Sequence, residues 1–326
     1  VTASAEPQDK LVWRVSSSLD TAKPGEVLLL DDQGRVLGPK AMRRASVVGW
    51  GVVGSVVGIG AGAVGVLVSP IAGVLVGAVT MGFLVWQLRH GREFQRALAL
   101  ASAGRRDEAY AIVTTLEGRQ LGNQFPPFID YLAGKLEWQR GNFDAALGRY
   151  ERALGALARM RGRGRGMYWI CTFDRVQLLA AMDRLADARA ARAELEEAPR
   201  GDYFAMELAL TDLMIAFHAG DVALLPPDEE LFEWAKAALR TSRFGASVVL
   251  LAWAFGARGE ADMAEHLLRE APARLETEFL PQTAPKLDAW LRERLARAPA
   301  ARDDDDDDLA RKIAAIDAGD PGAGTP

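Results

Sequence analysis

The stretch Ala45–Leu88 runs for 44 residues without a charge. Arg43 and Arg44 stand before it, and Arg89, His90 and Arg92 after it. As one helix it would extend about 66 Å, roughly twice the hydrocarbon thickness of a bilayer. Ser69-Pro70 sits near its middle. Proline lacks an amide proton and disfavours helical backbone in the residue before it. The pattern therefore predicts a transmembrane hairpin in residues 45–88. One helix covers 46–67, a turn falls at Val68-Ser69-Pro70, and a second helix covers 71–88. Either length can span a bilayer. Two alternatives are a buried hairpin of a soluble protein and one span with a re-entrant or interfacial piece. A soluble core helix rarely runs this far on Val, Gly, Ile, Leu and Ala alone. A cleaved signal peptide fits poorly, because the apolar run starts late and lasts long.

Glycine spacing supports paired helices. Gly54, Gly58 and Gly62 recur every fourth residue, as do Gly73 and Gly77. That spacing leaves one helix face without side chains, so two backbones can approach closely. The stretch resembles the glycine-zipper membrane hairpins of bacterial proteins, which implies paired helices, and the glycine spacing also permits a homo-oligomer through the Gly-rich hairpin. Lys and Arg favour the cytoplasmic side. The upstream flank holds Arg35, Lys40, Arg43 and Arg44, the downstream flank Arg89, Arg92, Arg96, Arg105 and Arg106, and the turn none. Two basic flanks suit a hairpin with both termini cytoplasmic. Trp50 and Trp86 stand near the two basic ends, where interfacial aromatics are favoured.

Residues 1–44 form a polar head. Glu26–Leu30 is apolar, Asp31-Asp32-Gln33-Gly34 is a turn signal, and Arg35–Leu37 follows, which reads as a small β-hairpin. Too short to be stable alone, it is equally readable as a loosely ordered pre-membrane segment.

Past Arg89 strand signals almost vanish, and amphipathic segments alternate with short breaks. This calls for a search for repeats. Residues 128–154 make one clear unit, with Gly134 in a first helix, a turn at Gly141-Asn142-Phe143, then Ala146, Tyr150 and Ala153 in a second helix. The unit resembles a tetratricopeptide repeat. Small residues stand where two antiparallel helices touch, and an aromatic fills the groove beside them. The frame recurs at Gly104 with Ala109, at Asp183 with Ala188, and at Gly259 with Ala264. Gly220 fits as a further turn whose second helix is displaced by Pro226-Pro227. The alanines at 109, 146, 188 and 264 are 37, 42 and 76 residues apart, the last being two units of 38. A standard unit has about 34 residues.

The expected fold is therefore all-α. A TPR-like α-solenoid of helical hairpins over residues 90–298 follows the transmembrane hairpin, and residues 299–326 form an acidic tail. Helix pairs are expected at about 90–118, 126–158, 167–197, 202–240 and 242–274, with a capping helix at about 283–298. The resemblance implies a scaffold that binds protein partners in a groove, with no catalytic residue to carry over. Groove candidates are Lys135, Trp138, Arg175 and Arg184, although each reads more simply as an ordinary surface or packing residue.

Other features give no chemistry. The net charge of −5 offers no electrostatic reason to bind nucleic acid. Cys171 stands alone, which agrees with a reducing compartment. His90, His218 and His266 do not stand at ligand spacing from one another or from Cys171. No nucleotide-binding loop or nucleophile motif is present, and no metal or cofactor is expected. Arg159–Gly166 reads as a flexible connection, with lipid headgroups as its alternative contact. Asp303–Asp308 reads as a solvated acidic run.

The expectation is a membrane-anchored scaffold or adaptor, not an enzyme, that binds protein partners at the cytoplasmic face of a bacterial inner membrane and touches membrane lipid. One alternative is a periplasm-facing protein that assists envelope assembly or quality control. Another is a glycine-zipper oligomer or pore with a regulatory repeat domain.

Overall fold

The computed structural model describes residues 89, 91–101, 104–117, 126–160, 163–199, 201–240, 245–273 and 275–297. The expected β-hairpin of the head, the expected membrane hairpin with Gly54, Gly58, Gly62, Gly73 and Gly77, and the acidic tail lie outside the described residues. Among the described residues the chain is all-helical, without strands. None of these helices is long and apolar enough to cross a membrane, and residues 45–88 are not among them.

The helices follow one another in pairs. They are α1 (91–101) and α2 (Arg106–Glu117), α3 (Pro126–Gln139) and α4 (Phe143–Leu157), and α5 (Arg163–Ala181) and α6 (Leu185–Glu194). Next come α7 (Asp202–Ala219) and α8 (Asp228–Arg240), then α9 (Gly245–Arg258) and α10 (Ala261–Glu270). A short α11 (Leu280–Thr283) and α12 (Pro285–Arg297) end the described chain.

The turns within the pairs share one backbone geometry. Gly104, Gly141, Asp183, Gly220 and Gly259 have φ of 78°, 80°, 59°, 63° and 88°, the left-handed region. At Gly141 the amide bonds the Trp138 carbonyl, and the Asn142 amide bonds the Glu137 carbonyl. The same two bonds occur at Gly104 (to Ala101, and Arg105 to Leu100) and at Asp183 (to Ala180, and Arg184 to Leu179). They recur at Gly220 (to Phe217, and Asp221 to Ala216) and at Gly259 (to Gly256, and Glu260 to Phe255). Each pair of bonds satisfies two carbonyls that the helix end leaves open. The residue after the turn then starts the next helix. Its carbonyl accepts from Ala109, Ala146, Ala188 or Ala264. All four alanines are buried.

The fourth turn departs from the others. After Gly220 a 3-10 turn, Val222–Leu224, precedes Pro226-Pro227, so α8 begins only at Asp228. The Asp221 carboxylate accepts from the Ala223 amide at 3.0 Å and fixes that turn. Leu225 stands five residues after the glycine, where the other turns have alanine, and is buried. Asp228, Glu229 and Glu230 occupy the first turn of α8, where the helix dipole favours negative charge.

The third pair begins earlier than its sequence pattern indicates. The Arg-Gly run was expected to be a connection, yet α5 already starts at Arg163. Arginine is a good helix former, and each glycine costs only about 1 kcal/mol in a helix. The densely buried segment that follows, from Trp169 to Ala181, anchors the helix and extends it backwards. Gly166 itself is buried, where its size suits packing.

The described residues fall into two compact units. One holds 89–175 with 195–205, the other 176–194 with 206–297, and the divisions fall inside α5, at the end of α6 and inside α7. In the first unit α1, α2 and α3 bury Ala97, Leu100, Ala109, Val113, Leu116, Ile129, Leu132 and Leu136 together. In α4 the buried positions Ala146, Leu147, Tyr150, Ala153, Leu154 and Leu157 recur at helical spacing and form one stripe.

Gly134 sets how closely α3 and α4 approach. A Cβ built there would lie 2.9 Å from Cδ1 and Cε1 of Tyr150 and 3.1 Å from Cβ of Arg149. Tyr150 is fully buried and cannot swing away. Gly148 is also within a helix, but a Cβ there meets nothing within 4 Å. The two glycines therefore give opposite expectations in chemical denaturation. Gly134→Ala should lower stability by about 1–3 kcal/mol through overpacking. Gly148→Ala should raise it by up to about 1 kcal/mol through helix propensity.

Candidate functional site

The buried polar residues are not scattered. Glu137, Thr172, Asp174, Gln177, Glu207, Thr211, His218 and Ser247 are the buried polar or charged residues among those described. Every one lies on the first helix of a pair: α3, α5, α7 or α9. The second helices bury apolar side chains and expose their charges. A buried polar group is tolerated only when it is hydrogen-bonded, so the first helices carry the specific polar geometry of this chain.

In the first unit that geometry centres on Asp174 and Glu137. The Tyr131 hydroxyl donates to Oδ2 of Asp174 at 2.9 Å, and Lys135 Nζ lies 3.4 Å from the same oxygen. Tyr131 and Lys135 are one helical turn apart on α3, so both reach one carboxylate on α5. Asp174 is nearly buried, whereas the Lys135 side chain is 40% exposed, and the pair joins interior to surface. Behind it the Tyr131 and Tyr150 rings stand 6.0 Å apart. The Tyr150 hydroxyl is buried and has no hydrogen-bond partner among the described residues. Burial first, and then the Asp174 charge, push this phenol well up. The same two causes push the Cys171 thiol up. Its Sγ points to the Tyr150 carbonyl at 3.7 Å. At neutral pH this sulfur is a protonated thiol and a poor nucleophile.

Glu137 receives hydrogen bonds on both oxygens. Tyr110 donates to Oε1 at 2.5 Å and Asn142 Nδ2 to Oε2 at 2.7 Å. Asn142 heads α4 and makes no side-chain cap to it; its Nδ2 donates to Glu137. The Arg140 guanidinium covers the Tyr110 ring at 3.8 Å and bonds Asp107 at 2.6 Å. Burial alone would push the Glu137 carboxyl up, but the hydrogen bonds from Tyr110 and Asn142, with the Arg140 charge, hold it below the usual range. The bond to Glu137 raises the Tyr110 phenol in return, with burial adding to it.

In the second unit Gln177 Nε2 donates to Glu207 Oε2 at 3.0 Å and to Thr211 Oγ1 at 3.1 Å. The Thr211 hydroxyl donates in turn to the Glu207 carbonyl at 2.7 Å. Arg192 on α6 holds Asp212 on α7 through two bonds of 2.7 and 3.0 Å.

The groove candidates read from the sequence do not form one set. Lys135 is paired with Asp174. Trp138, on α3 with Lys135, is buried at 8% exposure and belongs to the packing. Arg175 is half-buried beside Asp174 on α5. Arg184 follows the Asp183 turn in the other unit and pairs with Asp187 at 2.7 Å. Sequence reasoning passed over Tyr110, Tyr131, Glu137 and Asp174. Asp174 had a signal, being the acid that, with Arg175, follows directly on the uncharged run from Met167 to Phe173. Glu137 had none, because an acid near a helix end usually reads as exposed.

A short open cleft of 310 Å³ lies beside α2, α3 and α4, lined by Leu116, Glu117, Pro126, Ile129, Asp130, Arg149 and Arg152. Its charges are already paired: Arg149 bridges Glu117 and Asp130, and Arg152 reaches Asp130 at 3.0 Å. Among the described residues no group of three or more His, Cys, Asp or Glu could hold a metal ion.

The Tyr110–Glu137 bond supports a prediction. Tyr110→Phe leaves Oε1 of a buried carboxylate without its donor and should cost about 1–3 kcal/mol of stability at neutral pH. The folded phenol sits above its ordinary range, so its contribution is fully present below about pH 10 and is lost as pH rises through the folded value. Urea unfolding of the wild type between about pH 9 and 11 should show this decline, and Tyr110→Phe should make it shallower, the remainder coming from Tyr150 and Cys171, whose folded values are also raised.

No protein-family model, no curated protein and no solved structure matches this chain.

Proposed function

We propose that this chain is a membrane-anchored TPR-like scaffold that binds protein partners at the cytoplasmic face of a bacterial inner membrane. The main support is the set of five left-handed turns, each closed by the same two backbone hydrogen bonds. Successive turns lie 37, 42, 37 and 39 residues apart, a near-constant period typical of helical repeats. Four are followed five residues later by a buried alanine. The uncharged stretch of 45–88 and its two basic flanks supply the anchor and its orientation.

Repeat scaffolds work by presenting side chains from successive units to an extended partner. The placement of all the described buried polar residues on first helices is in keeping with such a surface. Their pairs fix the helix face, and the half-exposed Lys135 and Arg175 then offer positive charge beside it. A partner segment with acidic side chains or a free carboxylate suits that charge.

Two experiments test this reading. Reporters active only inside or only outside the cytoplasm are fused after Pro326 of the full chain. An inside signal is expected, and an outside signal would replace the hairpin with a single crossing. A photo-crosslinking residue is then placed at Lys135 on α3 or at the exposed Glu151 on α4. Crosslinked partners are expected from position 135 and not from 151. An equal yield from both, or none from either, sinks the scaffold reading.

A further inference from the structure

Asp183 stands out among the five turn residues. The other four are glycines, which adopt positive φ freely. Asp183 has φ 59°, a conformation that costs a side-chain-bearing residue about 1 kcal/mol. Its carboxylate does what glycine could not. Oδ1 lies 3.1 Å from His218 Nδ1 on α7 and 2.5 Å from Lys286 Nζ on α12. One oxygen thus ties the α5–α6 turn to α7 and to the first turn of α12, 103 residues away along the chain.

The ring of His218 is sealed. Its side chain has no exposed surface, and its neighbour Phe217 packs edge-on against Trp253 of α9 and Trp290 of α12. Asp183, from the turn, and Lys286, from α12, are the charged groups that act on the ring among the described residues. Burial would push the Asp183 carboxyl up, but the bonds from Lys286 and His218 hold it below its usual range, so it is an ionised acceptor. His218 Nδ1 therefore carries the proton and donates. Nε2 keeps a bare lone pair, which is buried and has no partner among the described residues.

We propose that Asp183, His218 and Lys286 form a proton-sensitive clasp on α12, which loosens when His218 takes a second proton. That proton goes to Nε2, the open position of the ring. The imidazolium and the Lys286 ammonium then compete for one carboxylate oxygen. His218 is held in place by its burial, whereas the Lys286 side chain is 55% exposed and is released cheaply into water. Lys286 gives way, and the start of α12 loses its tie. Burial lowers the His218 value, with Asp183 opposing and Lys286 adding to the effect. Neutral His218 is therefore the folded-state form. Its contribution is fully present above about pH 6.5 and is lost as pH falls below that through the lowered folded value. Coupling is reciprocal, so Lys286 must weaken proton binding at His218 by the factor by which the proton weakens the hold of Lys286.

Hydrogen exchange of α12 in the full chain, corrected for intrinsic chemistry, is compared at about pH 7.5 and about pH 5. Protection of α12 should fall about threefold at the lower pH in the wild type, the size of a half-exposed ion pair. His218→Asn keeps a donor to Asp183 without titrating, and it should remove the pH dependence. Lys286→Gln should speed exchange of α12 about threefold at the higher pH and raise the proton affinity of His218, read from its ring proton shifts, by the same factor. Asp183→Asn tolerates the turn conformation and should release α12 at both pH values, so the test does not depend on His218→Asn folding. Equal pH dependence in the wild type and His218→Asn, or an unmoved His218 titration in Lys286→Gln, overturns the clasp.

Discussion

The structure depends on a single backbone event repeated along the chain: one residue enters the left-handed region and turns the helix back. The end of an α-helix leaves carbonyls without donors, and an apolar core cannot supply them. At Gly104, Gly141, Asp183, Gly220 and Gly259 two amides beyond the helix end fold back onto those carbonyls. Four of these turns then start the next helix at once, which places a small residue, Ala109, Ala146, Ala188 or Ala264, against the preceding helix. The helices approach closely beside the turn, and at α3–α4 the approach is so close that only glycine fits at position 134.

With the packing fixed in this way, the buried polar residues among those described all stand on first helices. Second helices such as α4 and α10 show a single apolar stripe and an open charged face. First helices are covered on more sides. In α5 nearly every residue from Trp169 to Ala181 is buried, so any polar group there must find a partner inside the protein. Asp174 finds Tyr131 and Lys135, and Gln177 finds Glu207 and Thr211. Breaking one partner of such a pair leaves a buried polar group unsatisfied, which costs more than the bond itself contributes. These pairs therefore specify how neighbouring first helices are set against each other, and they hold Lys135 half in solvent.

Asp183 shows the same economy in a turn. A left-handed aspartate is worse than glycine for the backbone, yet its carboxylate meets His218 and Lys286 from two later helices. A local backbone cost is exchanged for a link between elements far apart in sequence. At the start of α4 the Asn142 side chain likewise serves another helix, donating Nδ2 to Glu137 on α3.

The sequence by itself determined the helical class, the turn positions and the small residues after them. These are local properties: a 3.6-residue period can be read from the apolar positions, and positive φ selects glycine almost regardless of surroundings. It also marked the displaced α8, because Pro226-Pro227 cannot sit inside a helix. Tertiary structure alone decided the rest. The helical start of α5 within the Arg-Gly run depends on the buried segment behind it, which overrides the weak local preference of glycine. Whether Trp138 faces a groove or the packing depends on which helices surround α3. The pairing of Glu137 with Tyr110, of Asp174 with Tyr131, and of Asp183 with Lys286 joins residues 27, 43 and 103 positions apart. Such pairs leave no trace in periodicity or propensity, because burial and partner are fixed only when separate helices come together.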